Sequence, residues 1–161
     1  MKKLTLILAL TIILSSILSL YVSAAPQVGD PIGDVLYSDI TAYINDSAIP
    51  TSAIGSNTYV AVEDLKNYGF KVKWDDKYKT LKVEFVKNKE FTPLEVIKDT
   101  VNKPGSVKCK YVYTNIRTYL SDIWVESYSI NGKVLIKFDL LKKYGKITWD
   151  GKARELHLTI K

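Results

Sequence analysis

Short stretches in which apolar and polar residues alternate make up most of the chain. Leu81–Phe85 alternates with period two, and so does the C-terminal run from Leu156 to Lys161. Ile40–Ile44 and Thr58–Val62 are runs of β-branched and aromatic residues bounded by turn residues. Each of these patterns predicts a β-strand.

The same pattern occurs twice. Residues 36–69 align without gaps with residues 112–145 at an offset of 76, Phe70 is then skipped, and residues 71–85 align with 146–160 at an offset of 75. A match of this length predicts two copies of one structural unit. The identical pairs include Tyr37/Tyr113, Ile40/Ile116, Tyr43/Tyr119, Asp46/Asp122, Ile54/Ile130, Leu65/Leu141, Tyr68/Tyr144, Gly69/Gly145, Trp74/Trp149, Asp75/Asp150, Lys77/Lys152 and Leu81/Leu156.

The sequence pattern of each copy predicts three strands, then a short helix, then two further strands. The helices are expected at Glu63–Tyr68 and Asp139–Tyr144, with acidic residues in the first turn and Gly69 or Gly145 as the C-cap. The expected fold class is therefore α+β: two tandem modules, each a small twisted antiparallel sheet packed on one short helix in the order β-β-β-α-β-β. The aromatic pairs Trp74/Trp149, Tyr43/Tyr119 and Tyr68/Tyr144 are predicted to be core residues.

Residues 1–24 are predicted to be a signal peptide. Lys2 and Lys3 precede an apolar run over residues 4–20, and Val22-Ser23-Ala24 supplies the small residues at which a signal peptidase cuts. The alternative is an uncleaved membrane anchor, because the apolar run is near the lower length limit for a spanning helix. Either interpretation predicts a secreted or cell-surface protein.

The rest of the chain divides into four predicted segments. Residues 25–35 are a lead-in loop, 36–85 the first copy, 86–108 a linker and 109–161 the second copy. Within the linker, Thr92-Pro93-Leu94-Glu95 predicts the start of a short helix, with Thr92 as N-cap and Pro93 as the first helical residue.

Both copies resemble the copper amine oxidase N-terminal-like domain, also called a stalk domain, which is common in exported proteins of Gram-positive bacteria. The motifs that carry the resemblance are Tyr43–Asp46, Thr58–Leu65, Tyr68–Asp75 and Thr80–Val83 with their counterparts in the second copy. The second copy departs from the family pattern at Ser121-Asp122, where Asn-Gly is usual, and lacks the residue after Gly145; neither copy has the Pro after the third strand. The resemblance implies a stalk, a twisted antiparallel sheet around one helix, apart from any active site.

The composition leaves few residues for catalysis. His157 is the only histidine and Cys109 the only cysteine, whereas metal sites gather several such ligands. His157 alternates with Leu156 and Leu158, so it is expected to face solvent. Asp75 and Asp150 are expected to hydrogen-bond within their own turns. The chain is therefore predicted not to be an enzyme, and to hold no metal and no cofactor.

Charge and aromatic residues single out one candidate surface. The second copy has ten basic residues against five acidic ones, whereas the first has six lysines against seven acidic residues. Trp124 and Tyr128 have no aromatic counterpart in the first copy, where Ala48 and Ser52 stand. Since aromatic rings stack on sugars and lysines attract anionic polymers, Trp124 and Tyr128 are predicted to form a ligand surface. Alternatively, Trp124 packs under its hairpin or against the linker helix.

The expected function is that of a non-catalytic exported binding module at the cell surface or in the extracellular space. Its predicted partners are cell-wall polysaccharide, another anionic polymer or a surface protein; nucleic acid is not expected, and membrane contact is expected only through an uncleaved leader. The alternative is a structural spacer or self-assembling stalk protein with no small ligand, in which an exposed sheet edge pairs with another chain. No oligomeric state and no role for Cys109 follow from the sequence.

Overall fold

The computed structural model describes residues 25–160, so the predicted signal peptide lies outside the described residues. Those residues form fourteen strands and two short 3₁₀ helices. The helices span Val62–Asn67 and Phe138–Lys143, each six residues long. The strands are β1 (Pro31–Leu36), β2 (Thr41–Ile44), β3 (Ser47–Ile49), β4 (Thr51–Ile54), β5 (Asn57–Ala61), β6 (Phe70–Asp75), β7 (Thr80–Phe85), β8 (Val107–Val112), β9 (Arg117–Leu120), β10 (Ile123–Val125), β11 (Tyr128–Ile130), β12 (Lys133–Lys137), β13 (Gly145–Asp150) and β14 (Glu155–Ile160).

The strands form three sheets. Six of them close into a ring in the order β1-β4-β5-β12-β11-β8, and every pairing in this closed sheet is antiparallel. The other two sheets have four strands each, in the orders β10-β9-β7-β6 and β13-β14-β2-β3. At the centre of each four-stranded sheet two strands pair in parallel, β7 with β9 and β14 with β2.

Both four-stranded sheets combine strands of the two copies. The terminal hairpin of the first copy, β6–β7, continues into β9–β10 of the second, and β13–β14 of the second continues into β2–β3 of the first. The predicted α+β arrangement of two tandem modules is therefore wrong, and the fold is mostly β with sheets shared between the copies. Alternation of residues identifies strands but not their partners, and a six-residue helix is too small to cover a whole sheet. Pairing between copies supplies backbone partners that each unit lacks alone.

Two boundaries differ from the sequence prediction. Residues 31–35, expected as the end of a loose lead-in, form β1 together with Leu36 and pair with β8. Residues 48–54, which the sequence predicts as the second strand of the first copy, are divided at Pro50 into β3, which pairs with β2, and β4, which pairs with β5. Because proline has no backbone N–H, it interrupts a ladder at the point where the chain passes from one sheet to another.

Buried side chains form two clusters. The larger one draws on both helices, both four-stranded sheets and the outward-facing residues of β5 and β12, such as Val60 and Ile136. The smaller one fills the inside of the closed sheet and includes Tyr59 of β5 and Leu135 of β12. Along each of these two strands, inward-facing residues of the smaller cluster alternate with outward-facing residues of the larger one. Strands β5 and β12 are thus buried on both faces and separate the two clusters.

Trp74 and Trp149, predicted to be core residues, are 47% and 48% exposed. Each lies opposite a leucine of the inner face, Leu81 or Leu156, so the predicted orientation is correct. Both stand on edge strands next to a hairpin turn, beyond the part of the core that the helices cover. The alternation of apolar and polar residues predicts which face of the sheet a side chain lies on. It does not predict how close that side chain lies to the edge of the sheet, where it becomes exposed.

The two copies leave their helices differently. Gly69 follows the first helix with a φ of +83°, which agrees with its predicted C-cap role. Gly145 instead lies within β13 opposite Ile160, as Phe70 lies opposite Phe85 in β6. A side chain at position 145 would overlap the carbonyl group of Thr159, so this glycine permits close strand packing and is not a C-cap.

Residues 92–97 form no helix, contrary to the sequence prediction. This segment lies along the end of the first helix, where the amide N–H of Thr92 donates to the Asn67 carbonyl oxygen at 2.9 Å. The amide of Leu94 donates to the Tyr68 hydroxyl at 3.2 Å, and the side chains of Phe91 and Leu94 pack on the larger cluster. Tertiary contacts therefore override the local N-cap signal.

Candidate ligand-binding surface

One face of the four-stranded sheet β10-β9-β7-β6 carries a row of aromatic and basic residues. Trp124 on β10 pairs with Tyr119 on β9, Tyr119 with Lys82 on β7, and Lys82 with Lys73 on β6. Residues directly opposite each other on neighbouring strands place their side chains on the same face of a sheet. The four side chains therefore line up across the full width of the sheet, on the face away from the core.

Trp124 is held outward by its own hairpin. Its neighbour Val125 is buried in the larger cluster, so the alternating pattern turns the indole to the other face, where it is 61% exposed. The turn between β9 and β10 contains Ser121 at a φ of +54°, a left-handed conformation that suits a two-residue hairpin loop. The indole is thus presented from a hydrogen-bonded strand.

The same face is positively charged. Lys71, Lys73, Lys82 and Arg117 point to it, against the acidic residues Asp75 and Glu84. The only ion pair among these, within the part of the chain that the structure describes, joins Lys73 Nζ and Glu84 Oε2 at 3.9 Å. Both side chains are about half exposed, so this pair holds the lysine weakly. An anionic ligand would meet mobile, solvated cations here.

The equivalent face of the other four-stranded sheet is different. Ala48 stands where Trp124 does, His157 where Lys82 does, and Thr148 where Lys73 does. His157 stacks on Tyr43 with ring centroids 4.7 Å apart and its Nε2 lies 3.2 Å from Glu155 Oε2. The Tyr43 hydroxyl donates to the other Glu155 oxygen at 3.1 Å; partial burial, together with that hydrogen bond, raises the pKa of Tyr43.

His157 does lie on the outward face, as the alternation predicted, although Tyr43 covers part of it. On this face Tyr43, His157 and Glu155 bind one another, and the described residues of the face form no row of cations.

Tyr128 does not belong to the same surface as Trp124. It lies on β11 inside the closed sheet, with its ring centroid 4.8 Å from that of Tyr111 and 6.0 Å from that of Tyr59. Burial and the neighbouring Glu126 raise the pKa of its hydroxyl far above the ordinary value. The structure thus separates the two residues that the sequence grouped together.

Lys73, Lys82 and Tyr119 were not identified from the sequence as candidate site residues. Lys73 and Lys82 each alternate with apolar neighbours, as ordinary surface residues of a strand do, and Tyr119 was predicted to be a core residue. Their association with Trp124 depends on the parallel pairing of β7 with β9, which joins residues from the two copies. No local pattern in either copy indicates that pairing.

The described residues contain no group of three or more His, Cys, Asp or Glu side chains placed to hold a metal ion. Asp75 and Asp150 accept hydrogen bonds from backbone amides of their own turns, which confirms the turn role predicted for them. The amides of Ala153 and Lys152 lower the pKa of the Asp150 carboxyl.

Within residues 25–160, neither helix has the length and apolar character needed to cross a bilayer. No protein-family model, curated protein or solved structure matches the chain.

Proposed function

We propose that this protein is an exported, non-catalytic binding module whose ligand is an anionic polymer of the cell surface, such as a charged wall polysaccharide. The observation that carries the proposal is the row formed by Trp124, Tyr119, Lys82 and Lys73 across one sheet face. Export rests on the sequence of residues 1–24 alone.

The chemistry of the row suits a charged sugar chain. The exposed indole of Trp124 offers a flat apolar surface on which the C–H face of a sugar ring stacks. Lysines further along the row attract carboxylate or phosphate groups, with an interaction that is weakened by salt. Four strands span three spacings of about 4.8 Å, so the row extends over roughly 14 Å. That length favours an extended polymer over a single small molecule.

The backbone beneath this surface is held by the core. Every residue in the row lies on a strand whose opposite face packs on the larger cluster, so the positions from which the side chains project are in place before binding. Ligand affinity benefits when the binding groups are already in place.

The alternative, a self-assembling stalk, requires a sheet edge that accepts another chain. Strands β3 and β10, which form one edge of each four-stranded sheet, are only three residues long. Short edge strands disfavour pairing between chains. The edge strand β6 carries Lys71 and Lys73, whose charges oppose pairing with a second copy of the same strand. These features favour the binding function.

Binding is tested with the mature chain and purified wall polysaccharides, one charged and one neutral, by calorimetry at low and high salt. Trp124→Ala is expected to weaken binding of the charged polymer by about 2–10-fold, the loss of one stacking contact. The double variant Lys73→Gln/Lys82→Gln is expected to weaken it similarly and to reduce its salt dependence.

Two control variants match these changes. Tyr78 is 62% exposed but lies in the β6–β7 turn, and Tyr78→Ala is expected to bind as the native protein does. Lys146 occupies on β13 the position that Lys71 occupies on β6, and Lys146→Gln should also leave binding unchanged. Equal affinity of Trp124→Ala and the native chain would exclude this surface. Absence of polymer binding together with oligomers in light scattering would support the stalk function instead.

A further inference from the structure

The closed sheet has two equivalent ends that are filled differently. Each copy, together with the strand at its start (β1 or β8), supplies three neighbouring strands of the ring, β1-β4-β5 and β12-β11-β8. The equivalent strands pair antiparallel, β5 with β12 and β1 with β8. Because equivalent strands run in opposite directions, equivalent residues of the two copies lie toward opposite ends of the ring. Two residues whose numbers differ by 76 are equivalent in the two copies, and they therefore lie at opposite ends of the ring.

Three tyrosines fill one end. The rings of Tyr59, Tyr111 and Tyr128 pack against one another, and Gly33 lies opposite Tyr111. Any side chain at position 33 would overlap the Tyr111 ring, so this glycine makes room for the tyrosine.

At the other end the corresponding positions hold smaller residues. Leu135 is the equivalent of Tyr59, Val35 of Tyr111 and Ser52 of Tyr128. Cys109 is the equivalent of Gly33. This end contains a cavity of about 320 Å³, lined by Val35, Ser52, Ala61, Cys109, Ile130 and Leu135 among others. The lining residues Val35, Ala61 and Leu135 are themselves only 1–6% exposed, so the cavity lies at the mouth of this end, where Ser52, Cys109 and Ile130 are partly buried. A cavity of about 150 Å³ already holds benzene, so this one is large enough for a fused pair of rings.

The rim of the cavity carries two cations and one anion. Lys133 Nζ lies 2.8 Å from Asp64 Oδ1, and the Asp64 side chain is nearly buried, so these two charges offset each other. Lys108 lies on the rim with its Nζ 5.6 Å from the centre of the Tyr37 ring. A second cavity, which shares Ser52 and Lys108, continues outward past Glu95 and Asp99. Lys108 is thus the cation at the junction of the two cavities.

We propose that the open end of the closed sheet binds a small aromatic acid, with its rings on the apolar lining and its carboxylate at Lys108. Pro50, Cys109 and Ile130 are the partly exposed apolar residues of the lining, and they supply the contacts for the rings. Lys108 supplies the charge that the acid group requires. This site is on a different sheet from the polymer-binding surface and does not depend on it.

The test uses 2-naphthoate and its neutral analogue 2-naphthol, titrated by calorimetry into the mature chain. One molecule of naphthoate is expected to bind per chain. Ser52→Tyr places in the cavity the residue that the other copy has at this position, and is expected to weaken binding at least 10-fold. Lys108→Met should weaken naphthoate binding about 5–10-fold and leave naphthol binding unchanged.

A second measurement does not require a variant. Cys109 is the only cysteine and lines the cavity, so bound naphthoate should slow its reaction with a thiol reagent in proportion to occupancy. An unchanged labelling rate at saturating naphthoate would overturn the proposal. Equal binding by a folded Ser52→Tyr variant would place the ligand elsewhere on the surface and also overturn it.

Polymer binding and naphthoate binding can be tested independently of each other. Trp124→Ala is expected to bind naphthoate with native affinity, and Ser52→Tyr to bind the charged polymer with native affinity. A loss of both activities in either variant would indicate a folding defect, which circular dichroism and the melting temperature of that variant would reveal.

Discussion

Phe70 provides the sharpest test of whether the two copies form one folded unit. Its side chain is fully buried, with its ring centroid 5.5 Å from that of Phe85 in the first copy and 5.1 Å from that of Tyr144 in the second. Replacing such a residue by alanine removes its transfer free energy and leaves a cavity, a cost of about 3–5 kcal/mol. For a domain of this size, each kcal/mol lowers the melting temperature by roughly 3–4 °C. Phe70→Ala should therefore lower it by about 10–20 °C.

The number of transitions distinguishes the interlocked fold from two tandem modules. Trp74 belongs to the first copy, and Trp124 and Trp149 belong to the second, so variants that keep tryptophan in only one copy report on that copy. In guanidinium denaturation, both reporters should follow one transition, and Phe70→Ala should shift both to the same lower midpoint. Ile97→Ala, at a position 83% exposed, should shift neither. Two separate transitions, of which only the first-copy transition moves with Phe70→Ala, would refute the shared core.

Three further changes follow from particular contacts. Gly145→Ala would place a methyl group against the carbonyl of Thr159, and should cost about 1–3 kcal/mol in the free energy of unfolding; a neutral effect would contradict the close packing of β13 on β14. The Tyr144 hydroxyl donates to the Val83 carbonyl oxygen at 2.8 Å across the copies, so Tyr144→Phe should cost about 0.5–1.5 kcal/mol in urea denaturation, and no cost would contradict this bond. The pKa of Asp150 is lowered by backbone amides, so its contribution to stability is present above the unfolded-state value and is lost as pH falls through the folded-state value. The difference in melting temperature between Asp150→Ala and the native chain should accordingly shrink as the solution is acidified through the range in which this carboxyl takes up its proton, and a difference that grows in acid would contradict that sign.

The local elements were largely predictable. The runs around Ile40–Ile44 and Leu81–Phe85 form strands β2 and β7, and both short helices stand at the expected places. The hairpin turn Asn131-Gly132 has positive φ at both residues, as its sequence indicates. These features depend on contacts between neighbours in the chain, which periodicity and turn residues report directly.

The partners of the strands were not predictable from the same signals. Parallel pairing of β7 with β9 leaves no mark on the alternation of either strand, because the alternation specifies a face and not a neighbour. For the same reason, the sequence did not show which residues lie beside Trp124 on the candidate ligand-binding surface. Trp124 was recognised because it lacks an aromatic counterpart, whereas Lys82 beside Tyr119 becomes visible only when the two copies are joined.

Strand β2, residues 41–44, pairs in parallel with β14, residues 155–158. During synthesis the first copy therefore has no partner for one side of β2 until residues 155–158 have been made. Contacts that join such distant residues make folding slow, since a long loop must close before the contact is gained. Both copies are therefore expected to fold in one cooperative step, which waits until β14 is available to pair with β2.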